Sequence, residues 1–295
     1  MNSKARAEWV TLALVPHIGG KVFRNLLDAY QTPKAILATS YDDLRKVVGV
    51  GPKIAAEIKN AEGYVEGVFK KLSLWERDGI QILTWEDALY PTLLKQLDDA
   101  PPILFARGQW TNPTLKTVAI VGTREPSDGV AEFTHQLAYH FASHGWTVVS
   151  GLAKGIDCAA HVGALEGQLG DYPTIAFLGN GVSRIYPSEH TQLANRIMQR
   201  SAIFSEIAPH KLPSTPSLVA RNRLITGFSR AVIIVESGDP GGALHAARFA
   251  RTQLRPVFTI DYSAAGNQRL REENCQSFSA DLEGIYSLYE TVAQY

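Results

Sequence analysis

The sequence Val148-Val149-Ser150-Gly151-Leu152-Ala153-Lys154-Gly155-Ile156-Asp157 decides the fold of the central part of this chain. A short apolar run ends at Ser150-Gly151, a loop with one lysine and a second glycine follows, and an alanine-rich helical segment then begins. A strand, a small-residue loop and a helix in this order present backbone N–H groups to an anion. We therefore expect the loop to bind phosphate, with Lys154 adding a full positive charge.

Apolar runs alternate with helical patterns on both sides of this stretch, from residue 116 to residue 262. The runs lack the polar alternation of half-exposed strands, which predicts a parallel sheet buried on both faces between helix layers. The predicted fold is α/β, a Rossmann-like doubly wound domain. Its strands are expected at 118–122, 147–149, 174–179, 202–206 and 231–236, with the last at 256–260. Ligands of such sheets bind beyond the carboxyl ends of the strands.

Basic residues accompany the loops at those carboxyl ends and could converge on one edge of the sheet: Arg124, Lys154, Arg184, Arg221 and Arg223. The chain has neither the G-x-G-x-x-G pattern of NAD-binding folds after its first strand nor the G-x-x-x-x-G-K-[ST] pattern of an ATP site. A single mononucleotide does not require five bases, whereas a row of phosphates does. A positive groove along the backbone is how single-stranded nucleic acids are held.

Structural roles remain open for some of these residues. Arg221 and Arg223 flank Asn222 just before a buried strand, where an arginine can also form a structural ion pair. Asp157 could cap the helix that starts beside it, and His161, one turn further on, faces either the core or the site.

Two carboxylates follow predicted strands. Glu206 and Glu236 could be catalytic, but residues at such positions more often anchor a neighbouring arginine. No Ser-His-Asp set and no cluster with metal-ligand spacing occurs in the sequence. We therefore predict no catalytic residue, no metal and no cofactor.

Two similar segments predict a small all-helical domain over residues 1–72, like a SAM or helix-hairpin-helix domain. Residues 15–20 and 47–52 each end one helix, form a small-residue hairpin and start the next helix. In a helix-hairpin-helix, a hairpin such as Gly49-Val50-Gly51 lets the next helix's N–H groups contact a DNA phosphate, and Lys53 would assist. The alternative is a helical bundle with glycine C-caps and no contact with DNA.

A connector is predicted over residues 73–115, with two short strands near 79–84 and 103–108. Trp75, Trp85 and Trp110 are expected to be buried against the core rather than to stack on bases. Asn112-Pro113 is a boundary signal, so the α/β domain is predicted to span 116–280 and to be followed by a C-terminal tail, 281–295, without a winged-helix domain.

Charge and cysteine content limit the class of protein. The net charge is zero, but residues 111–260 hold 13 Lys and Arg against 10 Asp and Glu, whereas residues 261–295 hold 2 against 6. The middle of the chain is therefore mildly basic and its end acidic. Two cysteines in unrelated contexts, no signal pattern and no apolar run of membrane-spanning length predict a cytoplasmic protein.

With these residues in place, the chain resembles the DNA-processing-protein family known as DprA or Smf. The resemblance rests on motifs spread over most of the chain: Tyr90-Pro91, Pro101-Pro102, Ile120-Val121-Gly122-Thr123-Arg124, the loop 150–157 with Ala160-His161, Leu178-Gly179-Asn180-Gly181 with Tyr186-Pro187, Ser205-Glu206, and Arg221-Asn222-Arg223-Leu224-Ile225. The resemblance implies single-stranded DNA binding without enzymatic activity, transfer of the strand to the RecA recombinase in natural transformation, and a homodimer formed through the α/β domain.

The same resemblance implies a set of DNA-binding residues. Arg124, Lys154, Arg221 and Arg223 would line the groove, and Gly151 and Gly155 would allow close approach of the backbone. An alternative is a nucleotide-processing enzyme of the phosphoribohydrolase-like Rossmann group, because Pro240-Gly241-Gly242 follows a strand here. In those enzymes a further Gly-Thr and a glutamate follow, and this chain has Ala243-Leu244-His245 instead.

Overall fold

A single mixed sheet organises the molecule. The computed structural model describes residues 2–112, 114–167 and 171–295, so Pro113 of the boundary signal lies outside the described residues. The nine strands of the described residues are β1 Ile80–Thr84, β2 Ile103–Gly108, β3 Thr117–Val121, β4 Thr147–Ser150, β5 Thr174–Phe177, β6 Ala202–Ser205, β7 Ala231–Ile234, β8 Val257–Ile260 and β9 Gln276–Phe278. Their order is β1-β2-β6-β5-β4-β3-β7-β8-β9. β2 pairs antiparallel with β1 and β6, and the other pairs are parallel, which confirms the predicted α/β class.

Helices precede the sheet and cover both of its faces. They are α1 Ser3–Ala13, α2 Gly20–Tyr30, α3 Pro33–Ala38, α4 Tyr41–Leu44, α5 Pro52–Ala61, α6 Val65–Arg77, α7 Thr92–Lys95, α8 Val130–Ser143, α9 Ile156–Gly167, α10 Thr191–Arg200, α11 Thr215–Ala220, α12 Asn222–Gly227, α13 Gly242–Thr252, α14 Ala265–Glu272 and α15 Leu282–Val292, with 3-10 turns at Glu62–Tyr64 and Ser188–His190. No helix in the described ranges combines the length and the apolar composition needed to cross a membrane.

The central strands are largely apolar because both faces of the sheet are covered. On β3, Val118 and Ile120 pack with α8, α9 and α15, while Ala119 and Val121 belong to the core on the opposite face. Successive residues of a strand point to opposite faces, so a strand covered on both sides has no position that faces solvent. This explains the continuous apolar runs in the sequence.

The end of the chain differs from the prediction. The strand at 257–260 is not the last, because β9 extends the sheet by a further parallel strand. Residues 282–292 of the predicted tail form α15, with Ile285, Leu288 and Val292 buried. Their spacing is that of an amphipathic helix, whereas Gln276-Ser277-Phe278 has no strand pattern that could reveal β9.

The N-terminal helices share their core with the connector and the sheet. The Trp9 indole N–H donates to the Pro102 carbonyl at 2.7 Å, and the Trp9 ring packs edge-on against Trp85. Trp75, Trp85 and Trp110 are all buried, as predicted. The connector strands β1 and β2 belong to the same sheet as β3–β9, so the connector and the parallel strands form one continuous hydrogen-bonded sheet.

Candidate nucleic-acid interface

A cavity of about 70 Å³ lies beyond the carboxyl ends of β3, β4 and β5. It is formed by the loop after each of these strands and by the α11–α12 segment. The residues that line it are Arg124, Gly151, Ala153, Lys154, Tyr186, Pro187, Leu218 and Arg221. Three of the five predicted bases therefore meet in one cavity, together with one of the two predicted glycines.

The loop between β4 and α9 is held by two side chains of α9. The backbone N–H groups of Gly151 and Ala153 donate to the Asp157 carboxylate at 3.1 and 3.3 Å, and the N–H of Leu152 donates to Nε2 of His161 at 3.2 Å. Three N–H groups that we expected to face an anion are thus already bonded within the protein, so this part of the expectation was wrong. Within the described residues, the N–H groups of Lys154 and Gly155 have no hydrogen-bond partner.

Asp157 and His161 therefore stabilise the loop through hydrogen bonds made on its buried side. Asp157 lies in the first turn of α9, buried, and burial raises the pKa of its carboxyl. His161 is completely buried, and burial together with the charge of Arg221 lowers its pKa to about 3. The Thr174 hydroxyl donates to the Val148 carbonyl and so accepts from His161 Nδ1, which leaves Nε2 as the acceptor of a neutral ring.

Leu152 is the strained residue of the loop. Its φ of 59° lies in the left-handed region, which is unfavourable for a residue other than glycine. Its N–H is held by His161, and its carbonyl accepts from Nδ1 of His190 at 2.9 Å. Two histidines thus fix the Leu152 peptide groups and hold the loop in one conformation.

Gly151 provides the space for the guanidinium of Arg221. A Cβ at position 151 would lie 1.7 Å from Nη1 of Arg221. Arg221 is only 6% exposed, and its Nη1 donates to the Phe177 carbonyl at 2.6 Å. Burial lowers the pKa of Arg221, and the charge of Asp157 opposes this shift. Among the described residues no carboxylate lies within ion-pairing distance of Arg221, so its charge is buried with no direct counter-ion.

Gly155 brings the Arg124 loop against the start of α9. Its φ is 70°, and a Cβ there would lie 2.5 Å from the Thr123 carbonyl, which accepts from the N–H of Ile156. The predicted role of Gly151 and Gly155 was to admit a DNA backbone. The structure shows a role within the protein for each: Gly151 leaves room for the Arg221 guanidinium, and Gly155 allows close approach of the Thr123 and Arg124 backbone. Their contact with a DNA backbone stays a prediction.

Glu236 anchors the Arg124 loop from the end of β7. Its carboxylate accepts from the backbone N–H of Ser127 at 2.8 Å and from the Ser127 hydroxyl at 2.5 Å. The sequence left open whether Glu236 is catalytic or an anchor. The contacts show that it is an anchor, although its partner is a serine rather than an arginine.

Lys154 forms an exposed ion pair. Its Nζ lies 2.8 Å from Oε1 of Glu189, and the hydrogen bond between them raises the pKa of Lys154 and lowers that of Glu189. Glu189 lies in the 3-10 turn beside His190, distant in sequence from the loop. No local pattern could have revealed this partner, and sequence reasoning missed it.

The other two predicted bases do not line the cavity. Arg223 forms an ion pair with Glu206 and donates to the Asp99 carbonyl at 3.0 Å, which joins α12 to β6 and the connector. Arg184 is exposed on the loop after β5. The cavity therefore brings together only three of the five bases, and for Arg223 the structural ion pair that the sequence left open is present.

The glycine-rich segment after β7 is also separate from the cavity. Gly241 is the N-cap of α13, and Ala243 and Leu244 are buried in the core. The segment therefore starts a helix that packs on the sheet.

Two lining residues of the cavity, Tyr186 and Leu218, were not predicted from the sequence. The dipeptide Tyr186-Pro187 was recognised only as the end of the loop that follows a predicted strand.

Comparisons with known families match two parts of the chain. The profile of the family described as DNA recombination-mediator protein A matches residues 81–288, and that of the SAM-like helix-hairpin-helix tandem matches residues 10–61. Among curated proteins, the chain is 32% identical over 269 residues to protein Smf of Synechocystis, covering 89% of this chain and 66% of that protein. It is 31% identical over 248 residues to the DNA processing protein DprA of Bacillus subtilis, covering 82% of each.

Two solved structures share this fold. The X-ray structure of DNA processing protein A from Streptococcus pneumoniae matches with a TM-score of 0.77 and 25% identity, covering 97% of this chain and 98% of that one. A structure of the Helicobacter pylori DNA processing protein A matches with a TM-score of 0.63 and 30% identity, covering 72% of this chain and 96% of that one. The latter structure is described as giving insight into the single-stranded DNA binding mode of the Helicobacter protein.

Proposed function

This chain belongs to the DNA recombination-mediator protein A family, and from that premise we propose that it binds single-stranded DNA at the cavity beyond β3, β4 and β5. The observation that carries the proposal is the meeting of Arg124, Lys154 and Arg221 in one cavity, from three separate segments of the chain. Three cations at one edge match the phosphates of a polynucleotide, and a basic groove along the backbone is typical of single-strand binders.

The buried charge of Arg221 supports an anionic ligand. A buried charge without a paired counter-ion is unfavourable, and screening by salt is weaker for it than for a surface charge. A phosphate that enters the cavity would supply the missing negative charge. Arg124 and Lys154 are exposed at the same cavity and would contact the backbone directly.

The carboxylates at the sheet edge support a role in binding rather than catalysis. Glu206 is paired with Arg223, and Glu236 accepts from the backbone and hydroxyl of Ser127, so both carboxylates anchor neighbouring segments. The proposal extends, as the family resemblance implies, to loading of the RecA recombinase onto the strand during DNA uptake and recombination. It also includes a homodimer through the α/β domain, a cytoplasmic location, and the division into a helical domain 1–72, a connector 73–115 and a DNA-binding domain 116–280.

The test measures fluorescence anisotropy with a labelled oligo-dT and with a duplex of the same length. Lys154→Glu is expected to lower affinity for the single strand by roughly tenfold or more, because it removes a phosphate contact and introduces repulsion. Glu189→Gln is expected to raise affinity about two- to fivefold, because phosphate no longer competes with a carboxylate for Lys154.

Lys71→Glu is the matched control, since Lys71 is exposed on α6 away from the cavity. It changes net charge as Lys154→Glu does but should leave affinity close to that of the wild type. Equal losses in Lys154→Glu and Lys71→Glu would show that only net charge matters. An unchanged affinity in a folded Lys154→Glu protein would exclude the proposed site.

A further inference from the structure

The three cations of the cavity do not by themselves select a single strand. Duplex and single-stranded DNA both carry phosphates, and a charge contact reads neither base nor strand number. The other five lining residues carry no charge, and the larger side chains among them are those of Tyr186, Pro187 and Leu218. A contact with the face of a base would distinguish unpaired from duplex DNA at this site.

Tyr186 has the properties of such a contact. It lines the same cavity as Arg124 and Lys154, and 43% of its surface is exposed. Among the described residues its hydroxyl has no hydrogen-bond partner, so no hydrogen bond holds the side chain against the protein surface. An aromatic residue left exposed beside cations is the combination found in proteins that bind single strands by backbone charge and base stacking.

The loop that carries Tyr186 is fixed at both ends of its turn. The buried Asn180 side chain donates to the carbonyls of Gly181 and Arg184 at 3.1 and 2.6 Å. Backbone bonds at 2.9 Å join Gly181 to Lys211 and Ser183 to Pro209.

Gly181 shows how tightly this turn is packed. A Cβ at that position would lie 2.1 Å from the Pro209 carbonyl, so the turn cannot shift toward residues 208–211. The ring of Tyr186 is thus presented at the cavity by an ordered loop, and little conformational entropy is lost when a ligand packs against it.

We propose that Tyr186 stacks on a nucleobase of the bound strand and that this contact provides the preference for single-stranded over duplex DNA. The inference rests on the proposed function. Bases in a duplex are paired and stacked on each other, so their faces are not available to the ring, whereas those of a flexible single strand are. Every base has a π-face, so the contact tolerates any sequence.

The test compares oligo-dT with an abasic oligonucleotide of equal length, whose backbone carries phosphates but no bases. Tyr186→Leu is expected to reduce affinity for oligo-dT by about 5- to 150-fold, the range for loss of a single stacking contact. Its affinity for the abasic strand should equal that of the wild type. Tyr186→Phe keeps the ring and should bind oligo-dT within about twofold of the wild type.

The salt dependence separates this role from a phosphate contact. Tyr186→Leu should keep the wild-type slope of log affinity against log salt, whereas Lys154→Gln should lower the slope by about 0.7. Tyr139→Leu is the matched control, because Tyr139 is similarly exposed, at 47%, on α8. It should change neither the affinity nor the slope.

Base stacking can also be measured directly, which keeps the inference testable if Tyr186→Leu does not fold. An oligonucleotide with 2-aminopurine should lose fluorescence when saturated with wild-type or Tyr186→Phe protein, because stacking quenches this base. The inference is overturned if folded Tyr186→Leu binds oligo-dT like the wild type, if it loses equal affinity for the abasic strand, or if 2-aminopurine is not quenched. If wild-type protein binds no single strand at all, the proposed function itself fails.

Discussion

Gly151 illustrates how one residue can serve a binding site without touching the ligand. Its missing side chain leaves room for the Arg221 guanidinium, which could not otherwise reach the cavity. A glycine in a phosphate-binding loop is usually attributed to close approach of the ligand. Here the approaching group is a cation of the protein, so the glycine acts through the charge that it admits.

We expect Gly151→Ala to lower single-stranded DNA affinity by roughly tenfold, the equivalent of about 1.4 kcal/mol, although no charge is removed. The added methyl group would displace the guanidinium from the Phe177 carbonyl and should also reduce the free energy of unfolding by about 1–3 kcal/mol. Anisotropy and urea unfolding measure the two effects.

Gly67→Ala is the matched control for this substitution. Gly67 lies exposed in α6, and a Cβ at this position would have no atom within 4 Å. Alanine should therefore stabilise the protein by about 0.5–1 kcal/mol and leave affinity unchanged. Full DNA affinity in Gly151→Ala would mean that the position of Arg221 does not matter for binding.

At the scale of elements, the β4–α9 unit combines a strained loop with two buried polar side chains. Asp157 and His161 both come from α9 and turn back to bind loop N–H groups. Because His161 accepts through Nε2, the unit requires a neutral ring. The free energy of unfolding should therefore depend on pH.

Lowering the pH should destabilise the protein through His161. Its folded pKa is about 3, whereas that of an unfolded histidine is about 6.5. Below pH 6.5 the unfolded chain binds a proton that the native state does not, so stability falls with pH by up to about 1.4 kcal/mol per unit. Urea unfolding between pH 7.5 and 5.0 measures the slope.

His161→Gln separates this histidine from the other titrating groups. Its amide oxygen can accept from the Leu152 N–H but does not titrate, so the variant should be less stable at pH 7.5 and less sensitive to acid. His210→Gln, at an exposed position, should keep the wild-type slope. Identical slopes in all three proteins would show that His161 is not the group responsible.

The elements themselves were largely predictable, whereas their side-chain partners were not. Apolar runs revealed β3 to β8, because strands covered on both faces are built mainly from apolar residues. Arg223 looked like a site residue because it stands two positions from Arg221, but the rotation of the helix between them directs it to Glu206 instead. The Lys154–Glu189 pair joins two loops that only the folded sheet brings together.

At the scale of the whole molecule, the two glycine hairpins of the N-terminal helices are not equivalent. The connector packs against the first hairpin and the helix that follows it: Gly20 lies against the Ala100 carbonyl, and Arg24 of α2 donates to the carbonyls of Lys95 and Leu97 and lies over the ring of Trp85 at 4.3 Å. The second is open, with Val48 77% exposed. Their sequences look alike, and the difference arises from residues far away along the chain. Contact of the second hairpin with DNA stays a prediction.

Gly20→Ala should loosen this docking. A Cβ on Gly20, the first residue of α2, would lie 2.1 Å from the Ala100 carbonyl, so we expect a loss of about 1–3 kcal/mol in unfolding free energy. Gly242, the first residue of α13, has no atom within 4 Å of such a carbon, and Gly242→Ala should stay within about 0.5 kcal/mol of the wild type. Thermal unfolding of the two variants compares them, and equal stabilities would contradict the docking.

The bonded N–H groups of the β4–α9 loop have a consequence for how the bound strand can be located. Hydrogen–deuterium exchange detects a ligand through amides whose exchange it slows. The amides of Gly151, Leu152 and Ala153 are already protected by Asp157 and His161 in the free protein. DNA binding should therefore cause little further slowing of exchange at these three amides. The slowing that reveals the bound strand should instead be found at the neighbouring amides of Lys154 and Gly155.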